Sequence, residues 1–252
     1  MVFGAPKSGT SVVAQLLSIG SGGSATIDIP TLWRTPVQEV RNGNTSAAQL
    51  IGHHRAYFSR DVIKEPGLTS IMDLIVSEMG VRKVVFVVRD PLTNIRSLLQ
   101  RRGIPGDLDV LSQDQMKRLV GGSWHWTYDW PYRNTKASAD WFGGRHYVEA
   151  LAAQWQSGVD AWVRTRQMDV EPFVLRYEDF LVDKMTAIES IMDQFGLAMR
   201  HDISEHLDKQ FQPKGDHTVS VESFFGPRNM EHILRETEQG VSLFGYQTQD
   251  FV

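Results

Sequence analysis

The chain has 252 residues, of which 41% are hydrophobic and 22% are charged, a composition typical of a globular protein that buries a sizeable core. The formal net charge of -4 argues against a protein that binds nucleic acid through a general basic surface. The absence of cysteine excludes disulfides, thiol nucleophiles and zinc-thiolate sites. No signal-peptide pattern and no apolar run of membrane-spanning length is found, so we expect a cytoplasmic protein without a transmembrane segment.

The predicted elements begin with a strand and a helix. Residues 1–3 are expected to be the end of a buried strand, and residues 8–19 carry apolar side chains at helical spacing. A short strand over 61–64 stops at Pro66, and a helix is expected over 70–79. Because only three residues precede the first loop, the first strand is unusually short, which leaves open whether the N-terminus is complete.

The clearest strand is the run "VVFVV" at 84–88, which is apolar on both faces and therefore predicts a central strand of a covered parallel sheet. A helix over 92–101 follows it. Another buried strand is expected over 173–176, and a helix over about 183–195. Strands that alternate with helices predict an α/β fold, a three-layer sandwich with a central, mostly parallel sheet, in one domain over 1–252.

The loop "GAPKSGTS" joins the first strand to the first helix. The helix N-terminus presents free N–H groups and a partial positive charge, and Gly9 allows close backbone approach. Lys7 adds a full charge, and hydroxyl donors come from Ser8, Thr10 and Ser11. The loop would suit a phosphate or a sulfate, although Lys7 precedes Gly9 and the usual G-x-x-x-x-G-K-[ST] order is missing. The alternative is a capped turn with a solvated lysine.

Two further motifs follow strand ends. In "RDPLTNIRS", Arg89 lies at the carboxyl end of the best strand, where open α/β sheets bind ligands, and Ser97 comes eight residues later. The alternative for Arg89 is a structural ion pair with Asp90 or another carboxylate. In "LRYEDF", Tyr177 follows the last predicted strand.

Residues 103–145 depart from the alternating pattern and hold four of the seven tryptophans, most of them in "GGSWHWTYDWPYRN". Aromatic residues among Gly and Pro favour an insertion that serves as a lid or a substrate wall. An aromatic cluster packed under a long loop is the alternative.

Taken together, "PKSGTS", "RDPLTNIRS" and "LRYEDF" resemble, in order and wording, the motifs of sulfotransferases that use 3′-phosphoadenosine 5′-phosphosulfate. The "KEP" at 64–66 and the "LFGY" near the C-terminus resemble the same family, so that only 103–145 falls outside the resemblance. It implies a P-loop-like fold and transfer of a sulfuryl group to a hydroxyl, or an amine, of a small-molecule, carbohydrate or natural-product acceptor.

The resemblance also implies a donor site for this nucleotide co-substrate, with no metal required. The first loop would bind the 5′-phosphosulfate through Pro6, Lys7, Ser8, Gly9, Thr10 and Ser11. Arg89 and Ser97 would hold the 3′-phosphate, and Tyr177 would lie near the adenine. A late basic residue usually completes the 3′-phosphate site, and we expect Arg228 in preference to Lys214.

The acceptor hydroxyl must lose a proton, so a general base is expected. The family histidine of a "K-T-H" strand end is replaced here by Pro66. Asp28 is the preferred base, with a helix or turn cap as its alternative role. Lys64 could orient the sulfuryl group or simply pair in the neighbourhood of Glu65. Four other candidates stay open as the base: Glu39, Glu65, His53 and His54.

Two other functions are alternatives to sulfuryl transfer. A P-loop nucleotide kinase needs a Gly-Lys-[ST] loop, which is missing, and a magnesium-binding carboxylate, which Asp90 could imitate. A non-catalytic module of the same fold has little reason to keep Lys7, Arg89 and Ser97 together. The partner is expected to be a small molecule or a glycan and not nucleic acid, while the acceptor's identity and the oligomeric state stay open.

Overall fold

The computed structural model describes residues 1–32, 36–120, 145–209 and 218–246. Five strands form one sheet: β1 (Val2–Phe3), β2 (Ala25–Ile27), β3 (Val62–Lys64), β4 (Val85–Val88) and β5 (Phe173–Arg176). The strands lie in the order β2-β3-β1-β4-β5, and every neighbouring pair is parallel. The predicted α/β sheet is therefore confirmed.

Helices flank the sheet. In the described ranges they are α1 (Thr10–Ser21), α2 (Pro36–Arg41), α3 (Ala47–His53), α4 (Arg55–Phe58), α5 (Met72–Met79), α6 (Pro91–Arg102), α7 (Gln113–Val120), α8 (Tyr147–Arg166), α9 (Tyr177–Val182), α10 (Lys184–Gln194) and α11 (Val221–Leu243). None of them is both long and apolar enough to cross a lipid bilayer.

The alternation along β4 divides the core into two layers. Val85 and Val87 pack with apolar side chains of α1 and α10 on one face of the sheet. Phe86 and Val88 pack on the opposite face with side chains of α5 and α8, among them Trp155. Both faces of the strand are buried because helices cover both, which is what its uninterrupted apolar run predicts. The three-layer sandwich is thereby confirmed.

The strand order places the loops of interest side by side. From β1 the chain continues to β2, the outer strand on one side of the sheet. From β4 it continues to β5, the outer strand on the other side. Such a reversal opens a crevice between the two strands at their carboxyl ends. Val2 pairs with Val85 and Phe3 with Phe86, so the loop that follows Phe3 and the motif that begins at Arg89 share this crevice.

Several elements differ from the prediction. One strand and seven helices were not predicted: β2, α2, α3, α4, α7, α8, α9 and α11. The helix expected over 70–79 starts as a 3₁₀ segment, Pro66–Ile71, before α5. α8 was missed because it is buried on several sides, against the sheet and α11, and so has no single apolar stripe.

The aromatic-rich insertion predicted over 103–145 is described only at its ends. It begins with a loop that continues into α7, while residues 121–144, which carry its tryptophans, lie outside the described residues. Residues 33–35, 210–217 and 247–252 lie outside them as well. Lys214, the second candidate for the late basic residue, therefore has no described position.

Replacement of Gly4 by alanine should be costly. A Cβ at Gly4, where φ is +153°, would lie 2.3 Å from the carbonyl oxygen of Val87 and 2.7 Å from Cγ2 of Thr10. We expect Gly4→Ala to lower the free energy of unfolding by about 3 kcal/mol in urea denaturation. Gly43→Ala is the matched control, because φ there is +73° but no atom lies within 4 Å of the added Cβ. It should cost about 1 kcal/mol, and equal losses in the two variants would contradict the packing argument.

Candidate functional site

The loop between β1 and α1 has an unusual backbone. Lys7 and Gly9 both lie in the left-handed region, with φ of 71° and 89°, and Ser8 N–H donates to the carbonyl oxygen of Ala5 at 3.1 Å. Gly9 is the N-cap of α1, and no side chain caps the helix there. The first N–H groups of α1 are therefore left for a ligand, at the end of the helix where the dipole is positive.

Side chains from other segments hold this loop in place. Nδ2 of Asn94, on α6, donates to the carbonyl oxygen of Pro6 at 2.9 Å and to Oγ of Ser8 at 3.0 Å. Oγ1 of Thr69 accepts from Gly4 N–H and donates to the Gly4 carbonyl oxygen, both at 3.0 Å. Ser8 is fully buried, so its hydroxyl belongs to this support of the loop.

Of the predicted hydroxyl donors, Thr10 is also buried, at 3% exposure, while Ser11 is partly exposed. The hydroxyl of Ser11 is thus the most open of the three predicted on this loop.

Arg89 and Tyr177 both contact this loop. Nη1 of Arg89 donates to the carbonyl oxygen of Lys7 at 3.1 Å, and its Cζ lies 4.9 Å from the centroid of the Tyr177 ring. The same ring packs on Gly9, where an added Cβ would lie 2.3 Å from its Cδ2 atom. Residues about 80 positions apart along the chain thus form one site at the carboxyl edge of the sheet.

The site gathers positive charge. Burial, and to a smaller extent the charges of Arg101, Arg89 and Lys64, lower the pKa of Lys7 to about 8. Burial also lowers the pKa of Arg89. Cations that depress one another's protonation are stabilised when an anion lies between them, so this cluster favours an anionic ligand.

Asp28 and Lys64 form an ion pair beside this cluster. β2 and β3 pair so that Ile27 lies opposite Lys64, which brings the next residue, Asp28, to the end of Lys64. Nζ of Lys64 donates to Oδ1 of Asp28, and the Lys64 carbonyl accepts from Asp28 N–H at 2.9 Å. The Lys64 side chain is 4% exposed and that of Asp28 is 19% exposed. Asp28 therefore offers a carboxylate that a small molecule can still reach.

Three of the four other predicted bases form hydrogen bonds elsewhere, and the fourth, His53, is exposed. Glu65 is buried, and its two carboxylate oxygens accept from the N–H groups of Ile29 at 2.5 Å and Gly67 at 2.9 Å, so it caps the 3₁₀ segment. The remaining candidates lie on or beside short helices. Oε2 of Glu39 accepts from Asn44 at 2.8 Å, Nδ1 of His54 lies 3.1 Å from Oγ1 of Thr31, and His53 is exposed.

The predicted 3′-phosphate residues are not all brought together. Ser97 is partly exposed on α6, two turns after Arg89. Arg228 is largely exposed and pairs with Asp109 at 2.8 Å, where α11 contacts the loop that precedes α7. Its side chain is thus committed to that contact.

A partly buried carboxylate that the sequence analysis did not select, that of Glu178, joins two of the motifs to the chain's last described residue. Oε1 of Glu178 accepts from Asp90 N–H at 3.0 Å, and Oε2 accepts from the hydroxyl of Tyr246 at 2.9 Å. Asp90 itself caps α6 by accepting from Thr93 N–H at 2.7 Å, and burial raises its pKa to about 6.

The sequence analysis also missed Asn94 and Thr69, which support the loop. The sequence signal that could have identified them is a polar residue among otherwise buried positions.

Other features of the described chain do not coincide with this site. A cavity of about 530 Å³ lies beside Trp162 and Arg166 near the start of β5, whereas the site lies at the carboxyl ends of the strands. No three His, Asp or Glu side chains in the described ranges are grouped as metal ligands. No protein-family model, curated protein or solved structure matches the chain, so the functional argument depends on the geometry and on the motif resemblance.

The charge on Lys7 predicts how anion binding depends on pH. Sulfate keeps its charge in neutral and basic solution, whereas Lys7, with a pKa of about 8, loses its proton as the pH rises. We expect the gain in melting temperature on adding sulfate to be larger at about pH 7 than at about pH 9.5. Lys7→Arg should retain the gain at both values, because a guanidinium stays charged.

Lys7→Gln serves as the control for general effects of sulfate on stability. Without an anion, the contribution of Lys7 to stability changes with pH in the opposite direction. The unfolded lysine titrates near its ordinary pKa, so the unfolded chain binds the extra proton between about pH 8 and pH 10.5. Stability of the wild type relative to Lys7→Gln should therefore rise with pH across that window. A sulfate effect independent of both pH and Lys7 would contradict this account.

Proposed function

We propose that the protein is a sulfotransferase that moves a sulfuryl group from 3′-phosphoadenosine 5′-phosphosulfate to a hydroxyl, or an amine, of a small-molecule, carbohydrate or natural-product acceptor. One observation carries the proposal: the guanidinium of Arg89 contacts both the loop at Lys7 and the ring of Tyr177. These residues come from the three segments that resemble the family motifs, and the resemblance did not use their spatial positions.

The charges of the site suit the departing group. During transfer the bond between sulfur and the bridging phosphate oxygen breaks, and negative charge develops on the 5′-phosphate. The ammonium of Lys7 and the uncapped N–H groups of α1 would stabilise that charge. Because the loop is held by Asn94 and Thr69 before any ligand binds, little reorganisation is needed at that moment.

Arg89 is suited to a phosphate for a similar reason. A guanidinium has five N–H donors, and the contacts from Nη1 to Lys7 and from Nε to Thr93 leave donors for ligand oxygens. Its position is fixed on the Tyr177 ring and by the indole of Trp155, whose Nε1 donates to the Arg89 carbonyl at 3.0 Å. We assign the 3′-phosphate to Arg89 and Ser97, and the adenine side to Tyr177.

Asp28 and Lys64 would act on the acceptor side. Their ion pair lies next to the cation cluster, since the charge of Lys64 acts on Lys7. The acceptor hydroxyl would attack sulfur in line and pass its proton to the carboxylate of Asp28. Lys64 would bind a sulfuryl oxygen in the transition state. The alternative of a magnesium-dependent kinase is less well supported, because Asp90 is buried and caps α6.

Calorimetric titration tests the donor class. We expect 3′-phosphoadenosine 5′-phosphate to bind the wild type and ATP with magnesium to give no response. Arg89→Ala should weaken the bisphosphate by roughly a hundredfold, since a charged hydrogen-bonding partner is lost. Arg82→Gln is the control. It removes one exposed positive charge just before the start of β4, away from the carboxyl ends of the strands, and should bind the bisphosphate as the wild type does. Binding of magnesium ATP in place of the bisphosphate would favour the kinase.

Asp28→Asn tests the base. Turnover, followed as release of the bisphosphate in the presence of a responsive acceptor, should fall by about a hundredfold or more, while donor affinity is retained. Removing the carboxylate also leaves Lys64 buried without its partner, so the variant should lose about 3 kcal/mol of stability. Turnover must therefore be compared at a temperature where the variant is folded.

Glu39→Gln and His54→Asn are the matched controls for the base, and both should keep wild-type turnover. A silent Asp28→Asn together with an inactive control variant would transfer the role of base to that other residue.

A further inference from the structure

The peptide group that joins Arg89 to Asp90 follows β4 and precedes α6, so it belongs to neither element. Side chains from two other helices hold its two polar ends. Nε1 of Trp155, on α8, donates to the Arg89 carbonyl oxygen at 3.0 Å. On the other side, Asp90 N–H donates to Oε1 of Glu178, on α9, at 3.0 Å. The orientation of this peptide plane is therefore fixed from both sides.

The carboxylate of Glu178 is itself held by a second contact. Its other oxygen, Oε2, accepts from the hydroxyl of Tyr246 at 2.9 Å. Tyr246 is 6% exposed and packs in the core, and Cζ of Arg176 lies 4.6 Å from the centroid of its ring. Because each oxygen of Glu178 accepts a hydrogen bond, turning the carboxylate would break both.

This support bears on Arg89 because a peptide plane sets the direction of the side chain beside it. Rotation of the plane changes ψ of Arg89, and the guanidinium lies several bonds away, between the Lys7 carbonyl oxygen and the Tyr177 ring. The charge of a carboxylate near an anion site would by itself repel the anion. Any gain in anion binding from Glu178 must therefore come from its hydrogen bonds, which keep a binding group in place.

We propose that Glu178 is a positioning residue of the donor site, which orients Arg89 through the N–H of Asp90 and is held in turn by the hydroxyl of Tyr246. The inference rests on the proposed function, in which Arg89 binds the 3′-phosphate of the nucleotide co-substrate. Tyr246, which follows α11, thereby supports a site that the earlier part of the chain forms.

Calorimetry tests the role of Glu178, with 3′-phosphoadenosine 5′-phosphate and adenosine 5′-phosphate as separate probes. Glu178→Ala should weaken the bisphosphate by about tenfold, and should leave adenosine 5′-phosphate, which has no 3′-phosphate, within about twofold of the wild type. Glu178→Gln should bind both as the wild type does, because an amide can accept from Asp90 N–H and donate to the Tyr246 oxygen. Glu189→Ala, which removes an exposed carboxylate of α10, is the matched control and should also bind as the wild type does.

Two further variants separate positioning from a general loss of structure. In an Arg89→Ala background, Glu178→Ala should cause no additional loss of bisphosphate affinity, because the residue that it positions is gone. Tyr246→Phe removes only a hydroxyl and serves as the second variant if Glu178→Ala does not fold. It should weaken the bisphosphate by about threefold and leave adenosine 5′-phosphate unchanged.

Wild-type affinity for the bisphosphate in a folded Glu178→Ala would overturn the proposal, as would wild-type affinity in Tyr246→Phe if the alanine variant does not fold. An equal loss for both nucleotides would overturn it as well, since that result indicates an effect through Tyr177. So would a Glu178→Gln variant as weak as Glu178→Ala, because the charge of Glu178 also acts on Arg89 and would then explain the loss.

Failure of the proposed function gives a different result. If the wild type binds neither nucleotide, the proposed donor is wrong, and inorganic sulfate becomes the probe for the anion site at Arg89. The sulfate-induced gain in melting temperature should then fall alike in Arg89→Ala and Glu178→Ala and return in Glu178→Gln. A gain that Glu178→Ala leaves unchanged, or no gain in the wild type, would overturn the positioning role too.

Discussion

The guanidinium of Arg89 is the contact on which the site depends, because it joins segments that are far apart in the chain. It donates to the Lys7 carbonyl oxygen and lies against the Tyr177 ring. The indole of Trp155 donates to the backbone carbonyl oxygen of Arg89 and so fixes the residue that carries it. A cation in this place is costly, as the lowered pKa of Arg89 shows. The Lys7 carbonyl oxygen and the Tyr177 ring contact the guanidinium, and the charges of Glu178 and Asp90 also offset part of that cost.

The loop follows the same logic. Its left-handed residue Lys7 costs free energy that a β1–α1 connection with ordinary torsions would not incur. Asn94 and Thr69 offset that cost with hydrogen bonds to the backbone on either side. Both are buried polar residues on segments that the core already fixes, α6 and the 3₁₀ segment before α5. The site is therefore rigid where it meets the sheet, and its open groups are the cations and the helix N-terminus.

The sequence predicts the parts of this arrangement that local pattern determines. β4 was found because both faces of the strand are covered, and the loop and Arg89 were found because strand ends in parallel sheets carry ligand-binding residues. Asp28 and Lys64 were selected separately, but their pairing could not be predicted. It depends on the register of β2 against β3, and β2 has only three residues. Glu178 was missed because its role arises from tertiary contacts, which leave no periodic signal.

The uncapped start of α1 and the cations around it have a consequence for the lifetime of the protein in the cell. Because the neighbouring charges of Arg101, Arg89 and Lys64 disfavour the protonated form of Lys7, an anion bound beside it should stabilise the fold. Resistance to proteases should therefore rise with the concentration of such an anion, since local opening is suppressed while the site is filled.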